Sequence, residues 1–270
     1  MPSGFITEYV NVAQLVLYAF WVFFFGLIIY LRREDKREGY PLESDRSDRS
    51  SRVSVVGFPL PPEPKTYRLP LDQGTRQAPR PQAPARSIPG TRPSAAWPGA
   101  PLVPTGDPMR DGVGPASYPD REDVPDLTIS GKPKVVPMRI TDDFMVEPND
   151  PDPRGMAVVA ADGKVAGTVK DVWVDRSEPR ILYFEVALNA TEDDSADAEA
   201  GINPLLPYGF ARVFFGSGQI KVSSIMSDQF QHVPRTASPD QITRLEEDRI
   251  TAYFAGGHLY AHPLRQEPLI

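Results

Sequence analysis

The sequence contains no cysteine and only three histidines, and these shortages exclude several kinds of chemistry. Without cysteine the chain forms no disulfide, thiolate metal site or cysteine nucleophile, and it suits a reducing compartment. The histidines lie near the C-terminus, at His232, His258 and His262, and none has the spacing of a helical zinc motif. A glycine-rich phosphate loop ending in Lys-Ser or Lys-Thr is also missing. These absences predict a protein that is not an enzyme and holds no metal of its own.

Basic residues are fewer than acidic ones. The chain has 29 Lys and Arg against 36 Asp and Glu, which gives a formal net charge of −7. Non-specific binding to nucleic acid needs a basic patch or stripe that matches the phosphate backbone. The sequence shows no such stripe, so we expect no nucleic-acid partner.

Long hydrophobic runs are absent with one exception, Val12–Leu31, in which Gln14 is the single strongly polar side chain. Twenty residues at a helical rise span about 30 Å, the thickness of the hydrocarbon core of a bilayer. A lone helix can cross lipid because its backbone polar groups are satisfied internally. The sequence therefore predicts one transmembrane helix, preceded by a short tail over residues 1–11.

The charges beside this helix predict its orientation. No basic residue occurs in residues 1–11, whereas four follow the helix directly: Arg32, Arg33, Lys36 and Arg37. Basic flanks stay on the cytoplasmic side, so we expect a periplasmic N-terminus and a cytoplasmic location for the bulk of the chain. Tyr30, Arg32, Arg33 and Tyr40 are then expected at the membrane interface and in contact with lipid.

Proline is unevenly distributed, with nineteen of the 31 prolines between Pro59 and Pro137. Proline removes a backbone donor and disfavours helix in the residue before it, so we expect little regular structure in this stretch, which belongs to an extended segment over residues 32–134. This segment is either a disordered linker or an extended ribbon that lies on the surface of a partner. Large apolar side chains are uncommon in linkers, so their presence in this segment favours the ribbon. The side chains that would lie against the partner are those of Phe58, Leu60, Tyr67, Leu69 and Leu71.

Short strands dominate residues 135–257. Met156–Ala160 and Val165–Asp175 flank an Asp-Gly turn that suits a β-hairpin, and Arg180–Leu188 alternates between apolar and polar side chains. Further strands are expected near residues 210–215 and 219–224, a spacing typical of a small barrel or sandwich. A closing helix is expected from the Ser238-Pro239 start signal to Gly256-Gly257, followed by a tail over residues 258–270.

Carboxylates lie beside aromatic and basic residues on the strand that ends at Asp175. The two-residue period of a strand places Asp171, Trp173 and Asp175 on one face, and Glu178 and Arg180 follow in the turn. Burial beside tryptophan raises the pKa of an acid and a nearby arginine lowers it, so such a cluster can relay protons. The alternative is a solvated strand edge with an ordinary ion pair.

Five longer sequence segments are distributed along nearly the whole chain. They are REGYPLES (37–44), FPLPPEPKTYRLP (58–70), PTGDPMRDGVGPASY (104–118), KVAGTVKDVWVD (164–175) and LEEDRITAYFAGGHLYA (245–261). Together they strongly resemble the H subunit of the purple-bacterial photosynthetic reaction centre. The resemblance implies a single N-terminal transmembrane helix, an extended surface-bound segment, and a mainly-β cytoplasmic domain of the type called a PRC barrel, with a C-terminal helix.

The resemblance also implies a role in an intracytoplasmic photosynthetic membrane, part of the bacterial inner membrane. The H subunit caps the cytoplasmic face of the L and M subunits and conducts protons to the secondary quinone. Bacteriochlorophyll, bacteriopheophytin, quinones, non-haem iron and carotenoid belong to the complex, and none is bound mainly by this chain. A cytochrome subunit and a light-harvesting antenna are further candidate partners. The alternative function is that of a membrane-tethered PRC-barrel adaptor for a soluble protein.

The resemblance implies roles for particular residues as well. Asp175 and Glu178 match the relay acids of the family, with Asp171 and Arg180 beside them. Some members carry an acid and a histidine pair where protons enter, but the matching stretch here, TISGKPK (128–134), has no histidine. Asp126 remains a candidate for that point. We therefore expect weak or absent inhibition by transition metals. The acidic run Thr191–Ala200 is a second departure from the family pattern.

Overall fold

The computed structural model describes residues 11–40, 57–79, 90–97, 100–189 and 202–266. The chain divides into two compact units. The first comprises residues 1–86 and 95–101, and the second comprises residues 87–94 and 102–270. The acidic run Thr191–Ala200 lies outside the described residues. The domain boundaries expected from the sequence remain predictions.

The first unit contains the apolar helix α1, Val12–Asp35, whose most apolar stretch has a mean hydropathy of 2.3. Its length and apolarity are sufficient to cross a membrane, and none of its side chains is buried within the chain. Asn11 caps its start because Oδ1 accepts a hydrogen bond from the Gln14 backbone N–H at 2.7 Å. At the other end, Arg32 donates to the Tyr40 hydroxyl at 3.4 Å. Tyr30 and Arg33 are exposed, as an interfacial location requires.

Residues 57–79 pack on the C-terminal end of α1. The Lys36 side chain, which is 2% exposed, donates to the carbonyl oxygens of Gly57 at 3.2 Å and Pro59 at 2.6 Å. Arg37 donates to the carbonyl oxygens of Glu63 and Ala78, at 2.8 and 2.9 Å. The extended segment is therefore held in this unit by backbone carbonyls that bind two cations.

Two short hairpins, with strands of three or four residues, occur in the described part of the proline-rich region, where little regular structure was expected. In the first unit β1, Lys65–Arg68, pairs with β2, Thr75–Ala78. In the second unit β3, Thr91–Pro93, pairs with β4, Leu102–Pro104. A two-stranded ribbon consists of edge strands only, and a proline is tolerated at an edge because its missing N–H can face solvent.

Replacement of Lys36 tests how the extended segment is held. In Lys36→Met the carbonyls of Gly57 and Pro59 lose their donor, which costs about 1–3 kcal/mol for a buried hydrogen-bonding group. We expect trypsin to cleave after Arg68 about tenfold faster than in the parent chain. Arg33→Met is the matched control because it removes one exposed cation and one trypsin site three residues earlier, in the last turn of α1. Equal cleavage rates in the two variants would contradict this account.

The second unit is built on a seven-stranded sheet in the order β10-β11-β6-β7-β8-β9, with β5 also paired to β7. All neighbours are antiparallel except β6 and β11. The strands are β5, Val135–Pro137; β6, Ala157–Val159; β7, Val165–Asp175; β8, Arg180–Leu188; β9, Leu205–Pro207; β10, Ala211–Phe214; and β11, Gln219–Val222.

Strand β7 organises this sheet, and both its bounds and those of β8 are as predicted. Gly163 lies in the β6–β7 turn with a φ of +77°, a backbone angle that residues with a side chain rarely adopt. β6 pairs with the first half of β7 and β5 with its last three residues, while β8 lies along the other side. The core fills around them with the fully buried side chains of Trp173, Phe184, Phe230 and Phe254.

Helix α2, Arg244–Tyr260, closes the unit, but both of its predicted ends were wrong. It begins after Thr243, whose hydroxyl accepts from the Glu246 N–H, while the Glu246 carboxylate accepts from the Thr243 N–H. This capping box is a stronger start signal than Ser238-Pro239. The helix also continues through Gly256-Gly257. A Cβ on Gly256 would lie 2.6 Å from the Cβ of Ala116, so close packing explains the small residue.

Candidate functional site

Asp175 lies at the carboxyl end of β7 and is 1% exposed. Its Oδ1 accepts hydrogen bonds from the backbone N–H groups of Ser177, at 2.8 Å, and Glu178, at 3.2 Å. Its Oδ2 lies 3.4 Å from the Lys134 ammonium. The strand therefore ends in a buried carboxylate that is matched by one cation and two backbone donors.

Glu178 differs from Asp175 because it lies in the open. Its carboxylate is 3.3 Å from the Arg180 guanidinium, and the two side chains are 65% and 61% exposed. This pair fits the alternative interpretation of an ordinary solvated ion pair, which contributes little to stability. The turn 176–179 thus joins a buried acid to an acid in contact with solvent.

Backbone hydrogen bonds connect Asp126 to the end of β7 through Lys134. The Lys134 N–H donates to the Asp126 carbonyl at 2.8 Å, and the Arg176 N–H donates to the Lys134 carbonyl at 2.9 Å. Lys134 therefore lies between the segment that carries Asp126 and the end of β7. The Asp126 carboxylate is half exposed and lies 3.6 Å from Arg244, at the start of α2. Three of the predicted relay residues, Asp126, Asp175 and Glu178, are brought to one end of the sheet.

Glu247 joins this group and was not predicted from the sequence. Burial raises its pKa to about 7, and the neighbouring charges of Asp126 and Asp248 act in the same direction, while Arg121 and Lys134 oppose them. Burial and the charges of Glu247 and Asp248 also raise the pKa of Tyr183, whose phenol interacts with Glu247 and Thr251. The signal in the sequence is the run Glu246-Glu247-Asp248, but which of these acids lies near Asp126 and Lys134 depends on how α2 packs in the fold.

The pKa of Glu247 predicts a pH effect on stability. The folded state favours the protonated acid, so its contribution is fully present below about pH 4.5 and is lost as the pH rises towards 7. We expect Glu247→Gln to keep this contribution at pH 8 and to stabilise the chain there by about 2 kcal/mol, with little change at pH 4.5. Urea unfolding at both pH values measures the difference. Equal effects at the two pH values would show that Glu247 titrates normally.

Asp171 belongs to a separate group centred on Arg139. The Arg139 guanidinium contacts the carboxylates of Asp171 at 3.2 Å and Glu185 at 2.7 Å, and it donates to the Pro239 carbonyl. Asp171 and Glu185 are 4% and 5% exposed and face each other across β7 and β8. The solvated strand edge is therefore wrong for Asp171. Its partner is Arg139, and within the described residues no hydrogen bond or ion pair joins Asp171 to Asp175.

The expected pairing of an acid with Trp173 also occurs with a different residue. The Trp173 indole N–H donates to Glu185 at 3.2 Å. Burial alone would raise the pKa of Glu185, but hydrogen bonds from Asn203 and Trp173 and the charge of Arg139 hold that pKa below its ordinary value. A carboxylate kept ionised in this way anchors the fold and is poorly suited to exchanging protons near neutral pH.

Metal binding finds no support in the part of the chain that the structure describes, where no cluster of three or more acidic, histidine or cysteine side chains could hold an ion. The loop after Asp126 instead carries hydroxyls, with Thr128 Oγ1 and Ser130 Oγ 2.9 Å apart. The His262 side chain caps the short helical turn that follows it, because its Nδ1 accepts a hydrogen bond from the Leu264 N–H at 3.2 Å.

Two protein families match the sequence, one after the other along the chain. Residues 4–140, just over half of the chain, match the family described as photosynthetic reaction centre, H-chain N-terminal region. Residues 145–227 match the PRC-barrel domain. The second match covers β6–β11 and therefore identifies the type of mainly-β domain that precedes α2.

Proposed function

The chain belongs to the photosynthetic reaction centre H-chain family, and from this premise we propose that it caps the cytoplasmic face of the L and M subunits and conducts protons towards their secondary quinone. It is a membrane-anchored reaction-centre subunit with a PRC-barrel domain. The family is a structural one, which agrees with the expectation that the chain is not an enzyme.

One observation carries the proton-transfer part of the proposal. Around Lys134 the structure gathers an exposed acid, a half-exposed acid, a buried acid and an acid whose pKa is about 7: Glu178, Asp126, Asp175 and Glu247. A proton relay needs groups that lead from solvent into the protein and that exchange protons near the working pH. Glu247 meets the second requirement, and the other acids provide the connection.

Each residue has a distinct task in the proposed relay. Asp126 takes up protons from solvent, and Glu247 exchanges them near neutral pH. Glu178, with Arg180 holding its carboxylate in place, lies further along the same path, and Asp175 receives protons from it. Lys134 keeps the buried carboxylate of Asp175 from being an isolated charge, which would otherwise be costly. Asp171 remains a predicted relay residue, although its contact with Arg139 favours a positioning role.

The partners hold the redox chemistry in this proposal. Bacteriochlorophyll, bacteriopheophytin, carotenoid, non-haem iron and quinones are assigned to the other subunits of the complex, where they carry out light-driven electron transfer. In this proposal the chain binds the other subunits, shields their quinone sites from water and passes protons to them. Arg32 and Arg33 in the last turn of α1, with Lys36 and Arg37 just after it, support a periplasmic N-terminus and a cytoplasmic PRC barrel in an intracytoplasmic photosynthetic membrane. A cytochrome subunit and an antenna remain candidate neighbours.

Removal of the chain tests the proposal. The complex is stripped of this subunit and then reconstituted with it, and flash-induced proton uptake and quinone reduction are measured in each state. We expect slower proton uptake and unstable quinone turnover in the stripped complex, and recovery on reconstitution. A tethered adaptor for a soluble protein would leave both rates unchanged.

The loop after Asp126 provides a gain-of-function test. Because it has no histidine, micromolar Zn²⁺ should leave proton uptake by the parent complex unchanged. Thr128→His with Ser130→His places two imidazoles where the hydroxyls are 2.9 Å apart, so a shared ion becomes possible beside Asp126. We expect Zn²⁺ to slow proton uptake in this double variant about tenfold, as loss of a proton donor does. Zn²⁺ inhibition of the parent complex, or none in the variant, would contradict proton uptake at Asp126.

A further inference from the structure

The end of the sheet opposite Asp175 contains a basic groove with a volume of about 410 Å³. Three cations line it: Arg212 on β10, Lys221 on β11 and Arg265 after α2. The residues at its floor, Ala160 and Ala161, follow β6, which ends opposite Val165, the first residue of β7. Strand β7 is about 33 Å long, so this basic groove is well separated from the acids around Lys134.

None of these cations has a carboxylate within ion-pair distance among the described residues. The Lys221 ammonium lies 5.1 Å from the centre of the Phe214 ring. The Arg265 guanidinium donates to the carbonyl oxygens of Ser223, Ser224 and Gly257, at 3.0, 2.6 and 2.6 Å. These contacts fix the guanidinium in place without supplying a negative charge. A positive surface therefore persists on a chain whose formal net charge is −7.

The groove lies along an edge of the sheet. In the described part of the chain β10 pairs with β11 alone, so the other side of β10 presents backbone donors and acceptors. Such an edge is a template for an added strand. Phe214 and Phe215 lie at the end of β10 and are 44% and 50% exposed. Exposed aromatic side chains beside a basic groove are typical anchors of protein recognition.

We propose that the basic groove binds an extended acidic peptide segment of a partner protein, which pairs with β10 and places its carboxylates on Arg212 and Lys221. Charge complementarity sets the sign of the partner, and the open strand edge sets its conformation. An anionic lipid would satisfy the cations but would leave the strand edge unused. The site is independent of the proposed proton transfer, since it shares no residue with it.

A synthetic peptide tests this proposal with the full-length chain in its detergent-solubilised complex. The probe is a fluorescein-labelled octapeptide of alternating glutamate and valine, and its glutamine–valine counterpart is the uncharged control. Fluorescence anisotropy should show binding of the acidic peptide and at least about tenfold weaker binding of the control, since both cations then lose their partner. Backbone N-methylation of the acidic peptide should also weaken binding, because it removes the strand pairing.

Variants locate the binding. We expect Arg212→Gln and Lys221→Gln each to weaken binding of the acidic peptide about fivefold, the effect of one partly exposed ion pair. Lys132→Gln is the matched control, an exposed lysine outside the basic groove, and should change nothing. Equal binding of both peptides, full affinity of the N-methylated peptide, or preference for phosphatidylglycerol vesicles over the peptide would overturn the proposal. A large gain in affinity on deletion of Thr191–Ala200 would overturn it too, by assigning the groove to the chain's own acidic run.

Discussion

Replacement of Arg139 by methionine is expected to lower the free energy of unfolding by about 3 kcal/mol, because it leaves two buried carboxylates without their shared cation. Asp171 and Glu185 are nearly inaccessible to solvent, and Arg139 contacts both. For a domain of this size the expected fall in melting temperature is about 10 °C. Thermal unfolding of the full-length chain, followed by circular dichroism, measures it.

Two further variants make the reason for this loss testable. Arg154→Met removes the exposed ion pair of Arg154 with Asp152, so it should cost at most about 1 kcal/mol. In the Arg139→Met background, Asp171→Asn and Glu185→Gln remove the two buried charges that have lost their shared cation and should restore about half of the lost stability. If Arg154→Met proved as harmful as Arg139→Met, burial of the carboxylates would not be the cause.

Glu178→Gln is expected to slow proton uptake linked to reduction of the second quinone about tenfold or more, because an amide cannot pass on a proton. Primary charge separation should be unchanged, since it involves no proton from this chain. Flash absorbance spectroscopy with a pH-indicator dye separates the two processes. Glu147→Gln, the same change at an exposed acid elsewhere in the unit, is the matched control.

The order of the proposed relay is tested by adding Asp175→Asn. Asparagine keeps the Oδ1 acceptor that binds the N–H groups of Ser177 and Glu178, so the turn should survive. If Glu178 and Asp175 act in series, the double variant should be no slower than the slower single variant. Independent slowing would place them on parallel routes, and unaltered uptake in Glu178→Gln would remove it from the path. Small weak acids in the buffer should partly restore the rate.

Much of the fold follows from local sequence patterns. The Asp-Gly turn predicts the start of β7, and the alternation of apolar and polar side chains predicts β8, because both signals depend on neighbours along the chain. The two ends of α2, by contrast, were not predicted correctly from the local sequence. Thr243 and Glu246 formed a capping box that competed with Ser238-Pro239, and the two glycines serve tight packing against Ala116 and Ile225.

The site was predictable in part for the same reason. The position of Asp175 and Glu178 at the end of a strand is a local property, and the structure places both there. Arg139 and Glu185 are 46 positions apart in the sequence, so nothing local indicates that they meet. Glu247 owes its pKa to burial and to Asp126, which only the packing of α2 on the sheet brings near. Long-range contacts of this kind cannot be read from periodicity or spacing.

The most direct test of the account is the near-infrared absorption spectrum of whatever co-purifies with this chain from gently solubilised membranes. If this chain caps the photochemical core, it should co-purify with stoichiometric L and M subunits. The preparation should then show bacteriochlorophyll and bacteriopheophytin absorption bands, which bleach reversibly in light. A colourless preparation of the chain alone, from membranes that contain active reaction centres, would contradict the account.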